Sequence, residues 1–390
     1  MIAAACSRAF QRALVEDPEF ARLRGAARST LASLLTAALG VSWALQHHER
    51  PTLAVPGALF AMIAPLFLRE ARWSSWLTSI LVLYLCTCAS FAGAAALASQ
   101  PALRDAGALL VVFLGILCQS LGARAVGAAM LTLVSFYLGL YLHPSHTRLM
   151  TMLTAMAMAP FIVAFVGRVV IPVARGGAPA PSFMCALPHT LVAAKAWGRE
   201  TIHYVADLLV IGRPTGRPFS TVLAHRLHRL AWRPALVASV AALLAILAGG
   251  ELSEDRSMWA VISTFVVFLG TTSYQGTRAR VMKRIAGTLS GAAVSVLLIT
   301  LCGHQTWMLV AAMALSVFGW AYYIFHAYAR GVFFITMLVG LVYGQLGFAI
   351  VPLAELRIEE VFAGCLVSLA AALLLMPSTT ARVGVVLVRE

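Results

Sequence analysis

Long apolar stretches, nearly free of charge, recur along the whole chain, and nothing constrains its fold more. They fall near residues 26–46, 52–68, 74–98, 106–121, 125–142, 149–172, 234–249, 257–272, 285–302, 306–326, 331–351 and 358–376. A membrane-spanning helix needs roughly 17 to 25 mostly apolar residues. Lipid offers no hydrogen bonds, so each segment must satisfy its own backbone, which makes helices the default. Composition agrees: of the 390 residues, 61% are hydrophobic and only 11% are charged, against about 25% charged in soluble domains. The expected fold class is therefore an all-α polytopic membrane protein with twelve transmembrane helices.

A net charge of +14 would suggest nucleic acid in a soluble chain, but here the placement of the charge gives another reason. In a twelve-span register with a cytoplasmic amino terminus, 24 of the 29 lysines and arginines fall on the inner side. Five fall outside: Arg50, Arg104, Arg148, Arg256 and Arg357. This is the positive-inside bias, and it puts both termini in the cytoplasm. Glu16, Asp17, Pro18 and Glu19 interrupt the place where a signal peptide would be apolar, so the first span itself is expected to direct insertion.

The expected organisation is a cytoplasmic segment over 1–25, a six-helix bundle over 26–174, a linker over 175–233, a second six-helix bundle over 234–377 and a tail over 378–390. The linker is bounded by "RGGAPAPS" and "GRPTGRP", both breaker-rich, and between them reads as one amphipathic helix carrying Trp197, Leu208 and Leu209. Its histidines, including His225 and His228 beside Arg226 and Arg229, share no clear ligand face and read as a cationic surface. Six spans per half make both halves enter from the same side, so a duplication would be parallel. In weak support, Arg148 and Arg357 each lead the last span of a half, with small residues at matching offsets (Ala155 and Ala159; Gly364 and Ser368).

The most informative stretch is "RVMKRIAGTLSGAAVSVLL", residues 280–298. Gly287 and Gly291 stand four apart, and Ser290 and Ser295 extend a small-residue face against which another helix backbone could lie closely. Gly364 does the same for the last span. Arg278, Arg280, Lys283 and Arg284 precede the apolar run; they read either as topology anchors or as groups that concentrate anions at an inner mouth. Arg284 sits nearest the packed face and is the cation most readily turned inward.

Three stretches together, "RIAGTLSGAAVSVLL" at 284–298, "GVFFITMLVGLV" at 331–342 and "RIEEVFAGCLVSLAAALLLMP" at 357–377, resemble the fusaric acid resistance (FUSC) family, also called aromatic acid exporter-like. The family's Arg-x-x-Gly-Thr-x-x-Gly span, late arginine, glycine-bearing helix and closing proline are matched by Arg284, Gly287, Thr288, Gly291, Arg357, Gly364 and Pro377. Larger bacterial members carry sizeable soluble domains, where this chain has the linker and a short tail. The resemblance implies a bacterial inner-membrane exporter of aromatic carboxylic acids or other small organic anions, in some cases working with a periplasmic adaptor. Plant malate channels are distantly similar, which keeps a passive anion channel in view.

Residues expected along a substrate path are Arg284, Thr288, Ser290, Trp320, Tyr323, His326, Thr336 and Arg357. The aromatics near Trp320 suit stacking on a planar acid, or equally an interfacial belt. No Asp, Glu or Lys lies in the middle third of any span as delimited above, so coupling to protons would draw on span ends, with Asp105 and Glu360 as candidates; Glu359 and Glu360 beside Arg357 also read as a surface ion pair. Seven scattered cysteines, with Cys86 and Cys88 on different helix faces, form neither a zinc nor a disulfide pattern. No GxxxxGK[ST] occurs, which excludes ATP hydrolysis by a P-loop. The expected partners are small organic anions and membrane lipid, with no cofactor, metal or nucleic acid. A polytopic enzyme on lipid-linked substrates and a membrane scaffold are the remaining alternatives.

Overall fold

The computed structural model describes residues 17, 20–68, 70, 73–172, 230–252, 258–303 and 305–377. The linker helix with its histidines, most of the amino-terminal segment and the tail lie outside the described residues. Within them the regular structure is helical throughout. The first half holds α1 (Ala21–Gln46), α2 (Val55–Ile63), α3 (Trp73–Leu97), α4 (Pro101–Cys118), α5 (Ala123–Leu142), α6 (His146–Met156) and α7 (Met158–Phe165), the last running into a π-helical turn at Val166–Val170. The second half holds α8 (Trp232–Leu252), α9 (Met258–Phe268), α10 (Tyr274–Cys302), α11 (Thr306–Tyr323), α12 (Tyr328–Gln345) and α13 (Ile350–Leu375).

Among the described residues nine helices are long and apolar enough to cross a membrane, and two shorter apolar ones span Pro51–Leu66 and Met258–Phe268. The chain is a multi-pass membrane protein. Several boundaries depart from the sequence reading, two of them by about two helical turns or more. α10 begins at Tyr274 rather than near 285, and α13 at Ile350 rather than 358. Polar side chains lower the local hydropathy and so hide the first turns of both helices, while the backbone continues through them. Ser273 starts α10 by accepting the Gly276 N–H at 3.3 Å, a side-chain cap for a donor that the helix leaves orphaned.

The halves pair their helices alike. The closest partners are α3 with α5 in the first and α10 with α12 in the second, while α1 and α8 each lie against the short helix that follows. Between halves, α4 packs on α8 and α1 on α11. Ala235, Ala238, Ala241, Ala242 and Ala245 of α8, all fully buried, share one core cluster with Val112 and Ile116 of α4 and with residues of α9 and α13. A second core cluster joins Phe60 and Trp76 of the first half to Trp320 of the second.

The α10–α12 contact explains the glycines of the quoted motif. A Cβ on Gly287 would lie 2.5 Å from the Ala329 carbonyl oxygen, and one on Gly291 would lie 2.9 Å from the Thr336 Cβ and strike the Phe333 carbonyl. One turn further, Ser295 takes the same face opposite Gly340. The two backbones therefore touch along three helical turns, as van der Waals packing between membrane helices requires where no hydrophobic effect draws them together. Ser290 is off this face: it is exposed, and its hydroxyl folds back onto the Ala286 carbonyl at 2.7 Å. A 3.6-residue turn leaves residue 290 well round the helix from 287, 291 and 295.

Candidate functional site

Four charged side chains are buried among the described residues, Asp17, Arg284, Arg357 and Glu360. Asp17 precedes α1 and accepts the N–H groups of Arg22 and Leu23, each at 2.9 Å. The other three belong to the contact of α9, α10 and α13, and they overturn two expectations. Arg284 does not precede its span: it is the eleventh of the 29 residues of α10 and 7% exposed. Arg357 and Glu360 are not a surface pair at a helix end. Glu360 is the eleventh of the 26 residues of α13 and fully buried, and Arg357 is 7% exposed. An acid thus does occupy the middle third of a membrane helix, while Glu355 and Glu359 on the same helix are exposed. The early start of α13 and its helical spacing account for this, since residues 357, 360 and 364 share one face.

The short helix α9 supplies the polar partners. The Arg284 Nη2 donates to the Ser263 Oγ at 3.0 Å, and the Ser263 hydroxyl in turn donates to the Trp259 carbonyl at 2.6 Å. The Arg284 Nη1 reaches the Tyr328 hydroxyl at the start of α12 at 3.4 Å. The Arg357 guanidinium lies 4.1 Å from the centre of the Trp259 ring, and the Trp259 backbone N–H donates to the Glu360 Oε2 at 3.1 Å. That bond places a carboxylate at the start of α9, where helix N–H groups lack internal acceptors and favour negative charge. Gly364 lets α13 come down onto the Ala260 carbonyl, and the Thr264 hydroxyl bridges the seam to the carbonyls of Ala260 and Gly364 at 3.1 and 3.3 Å.

Two guanidinium groups and one carboxylate leave this interior cationic. Arg284 and Glu360 both act electrostatically on Arg357, and the Nε of Arg284 and the Nε and Nη1 of Arg357 have no hydrogen-bond acceptor among the described residues. A charge in the bilayer interior is costly and marks a functional position by default. Chemically, the cluster offers unspent guanidinium donors and an aromatic face to an anion. Guanidinium forks match carboxylate geometry.

The structure brings Arg284 and Arg357 together, with Glu360 as third member. Thr288 is buried one turn beyond Arg284 on α10, and the remaining expected path residues have other surroundings: Thr336 is spent on packing against Gly291. Trp320 sits in the inter-half core. Tyr323 stacks flat on Phe334 at 5.9 Å with Arg330 above it, and His326 is exposed beside Tyr322. Asp105, in the first half, is paired with its neighbour Arg104 at 3.2 Å. Arg148, which the internal comparison matched to Arg357, is exposed. The sequence reading missed Trp259 and Ser263. The only signal for them was a short apolar helix opening on tryptophan with an adjacent Ser-Thr pair.

Residues 225–371 match the fusaric acid resistance protein-like family model, a span that contains every member of this cluster. Comparison with curated proteins and with solved structures gave no match.

Proposed function

We propose that this chain, whose second half carries a fusaric acid resistance protein-like domain and belongs to that family, exports small organic anions, aromatic carboxylic acids first among them, by secondary transport across a bacterial inner membrane. The observation that carries the proposal is the cationic interior formed by Arg284 and Arg357, each 7% exposed, with guanidinium nitrogens left without acceptors. A membrane protein with no anionic cargo would gain little from two cations against one buried acid. The Trp259 ring beside Arg357 supplies a flat face next to the charge, which suits an aromatic acid. Glu360 is the group through which a proton could be exchanged for the anion, and an adaptor protein on the outer side belongs to the same proposal.

The chain crosses the membrane twelve times in this proposal, as two parallel six-helix repeats with both termini inside. The like pairing of α3 with α5 and α10 with α12 and the bias of lysine and arginine to one side support that arrangement. The short helices α2 and α9 would then be the second crossing of each half, too short alone for a core of about 30 Å. A passive anion channel is the second reading, favoured by the same cations.

Flux in proteoliposomes separates the two. Uphill movement of a labelled aromatic carboxylate under an imposed pH gradient is the expected result. Movement only down the anion's own gradient would make the protein a channel, and no flux of any organic anion under either condition would end both readings.

A further inference from the structure

A second basic site lies in the first half, away from the Arg284 cluster. Arg24 and Arg28 stand one turn apart on α1, where like charges repel, and among the described residues neither has a carboxylate at ion-pair distance. The Arg28 Nε donates to the Arg24 carbonyl at 3.3 Å, while the Arg24 Nε is buried with no acceptor among the described residues. Arg28 lines a cleft between α1, the end of α2, α3 and α7, whose walls include Pro65, Leu68, Val163, Gly167 and Trp76. Trp76 is 1% exposed, and its Nε1–H is buried without an acceptor. Arg168, on the π-helical turn, lies 4.5 Å above the Trp76 ring and 5.1 Å above the Trp73 ring.

Among the described residues the acids at this end have other partners. Glu70 accepts Arg124 at 2.5 Å and Ser79 at 2.8 Å, and Asp17 accepts backbone N–H groups. What remains is donors: the Arg24 Nε and the Trp76 indole N–H have no acceptor among the described residues, and the Arg28 guanidinium has only the Arg24 carbonyl. Arginines that merely anchor topology carry their heads out to water, whereas these are half-buried. Beside them Leu23, Phe165, Val169 and Val170 are exposed, an apolar rim that acyl chains would cover.

We propose that this cleft binds the phosphate of an anionic phospholipid, with Arg28 on the phosphate oxygens, Trp76 donating its indole N–H, Arg24 one helical turn away adding its charge, and the apolar rim against the acyl chains. Basic pockets between membrane helices take anionic headgroups in this way. The tryptophan pair Trp73 and Trp76 stands at the start of α3, and such rings favour the membrane interface.

The test is thermal unfolding and native mass spectrometry of the purified full-length protein in detergent, titrated with phosphatidylglycerol, phosphatidylcholine or inorganic phosphate. Phosphatidylglycerol is expected to raise Tm and form adducts, whereas phosphatidylcholine and inorganic phosphate do neither at equal concentration. The double variant Arg24→Gln, Arg28→Gln is expected to weaken phosphatidylglycerol binding by about tenfold or more, as loss of a charge-assisted contact would. Trp76→Phe, which keeps the ring, should weaken it by a smaller factor, and it serves if the double variant does not fold. Equal stabilisation by inorganic phosphate would make this a free-anion site and overturn the lipid assignment. Equal binding of phosphatidylcholine, or unchanged phosphatidylglycerol binding in the variants that fold, would overturn the site itself.

Discussion

The carboxylate of Glu360 accepts the backbone N–H of Trp259 at 3.1 Å, and through that bond an acid buried in one helix is fixed to the first turn of another. The same tryptophan carries the Arg357 guanidinium over its ring at 4.1 Å, so one residue of α9 holds both signs of charge. What can be measured follows from how each group is held.

Arg284→Ala should reduce organic-anion flux by at least about tenfold, equivalent to about 1.4 kcal/mol of transition-state stabilisation, while membrane insertion and expression are retained. Arg284→Lys should not restore it, because an ammonium cannot present a planar fork to the Ser263 hydroxyl and a carboxylate together. Flux at the wild-type rate in the alanine variant would reduce the side chain to an anchor.

Glu360→Gln keeps an oxygen for the Trp259 N–H but cannot lose a proton. For a proton-coupled carrier, anion movement down its own gradient should persist and pH-driven accumulation should vanish. Accumulation that survives the substitution would remove Glu360 from the coupling path.

Trp259→Ala deletes the ring under Arg357, an interaction worth up to about 2 kcal/mol when shielded from water. A raised apparent KM for aromatic substrates is expected, with a smaller change for aliphatic ones. An equal change for both classes would confine the ring to holding Arg357.

Gly291→Leu drives a side chain into the Phe333 carbonyl and the Thr336 Cβ. Overpacking of this kind costs about 1–3 kcal/mol, and more here, since backbone has to move, so lower Tm and lower yield are expected. Gly93→Ala is the control: nothing lies within 4 Å of its added Cβ, and replacing an exposed helix glycine is neutral or stabilising by up to about 1 kcal/mol.

Glu70→Gln should cost little, at most about 1 kcal/mol in Tm measurements. The Glu70–Arg124 pair is only partly buried, with side-chain exposures of 20% and 22%, and pairs reached by water contribute modestly.

Helix positions were legible in the sequence because hydropathy and helix length are set by the same bilayer. Gly287 and Gly291 were legible because close packing leaves few residue types to choose from. The Arg284 cluster was only half legible. Arg357 and Glu360 depress the apolar average of their own segment, so the window that finds the helix began only at residue 358, which cut off Arg357 and left Glu360 at a span end, and a buried acid read as a surface one. Trp259 and Ser263 gave less still: their roles depend on which helix lies across from α9, a long-range fact that no local pattern carries. Ser290 shows the converse error, because nearness in sequence to a packed face is not membership of it.

The α4–α8 seam has a consequence of its own. A row of five buried alanines offers few protrusions to interlock, whereas Gly287 and Gly291 seat α12 in a notch that pins its register. Shear is a small sliding of packed helices, and here one of the two faces presents only methyl groups to the valine and isoleucine opposite. Alternation of the cation cluster between the two sides should therefore be sought as sliding at the alanine row, with α10 and α12 travelling as a single rigid piece.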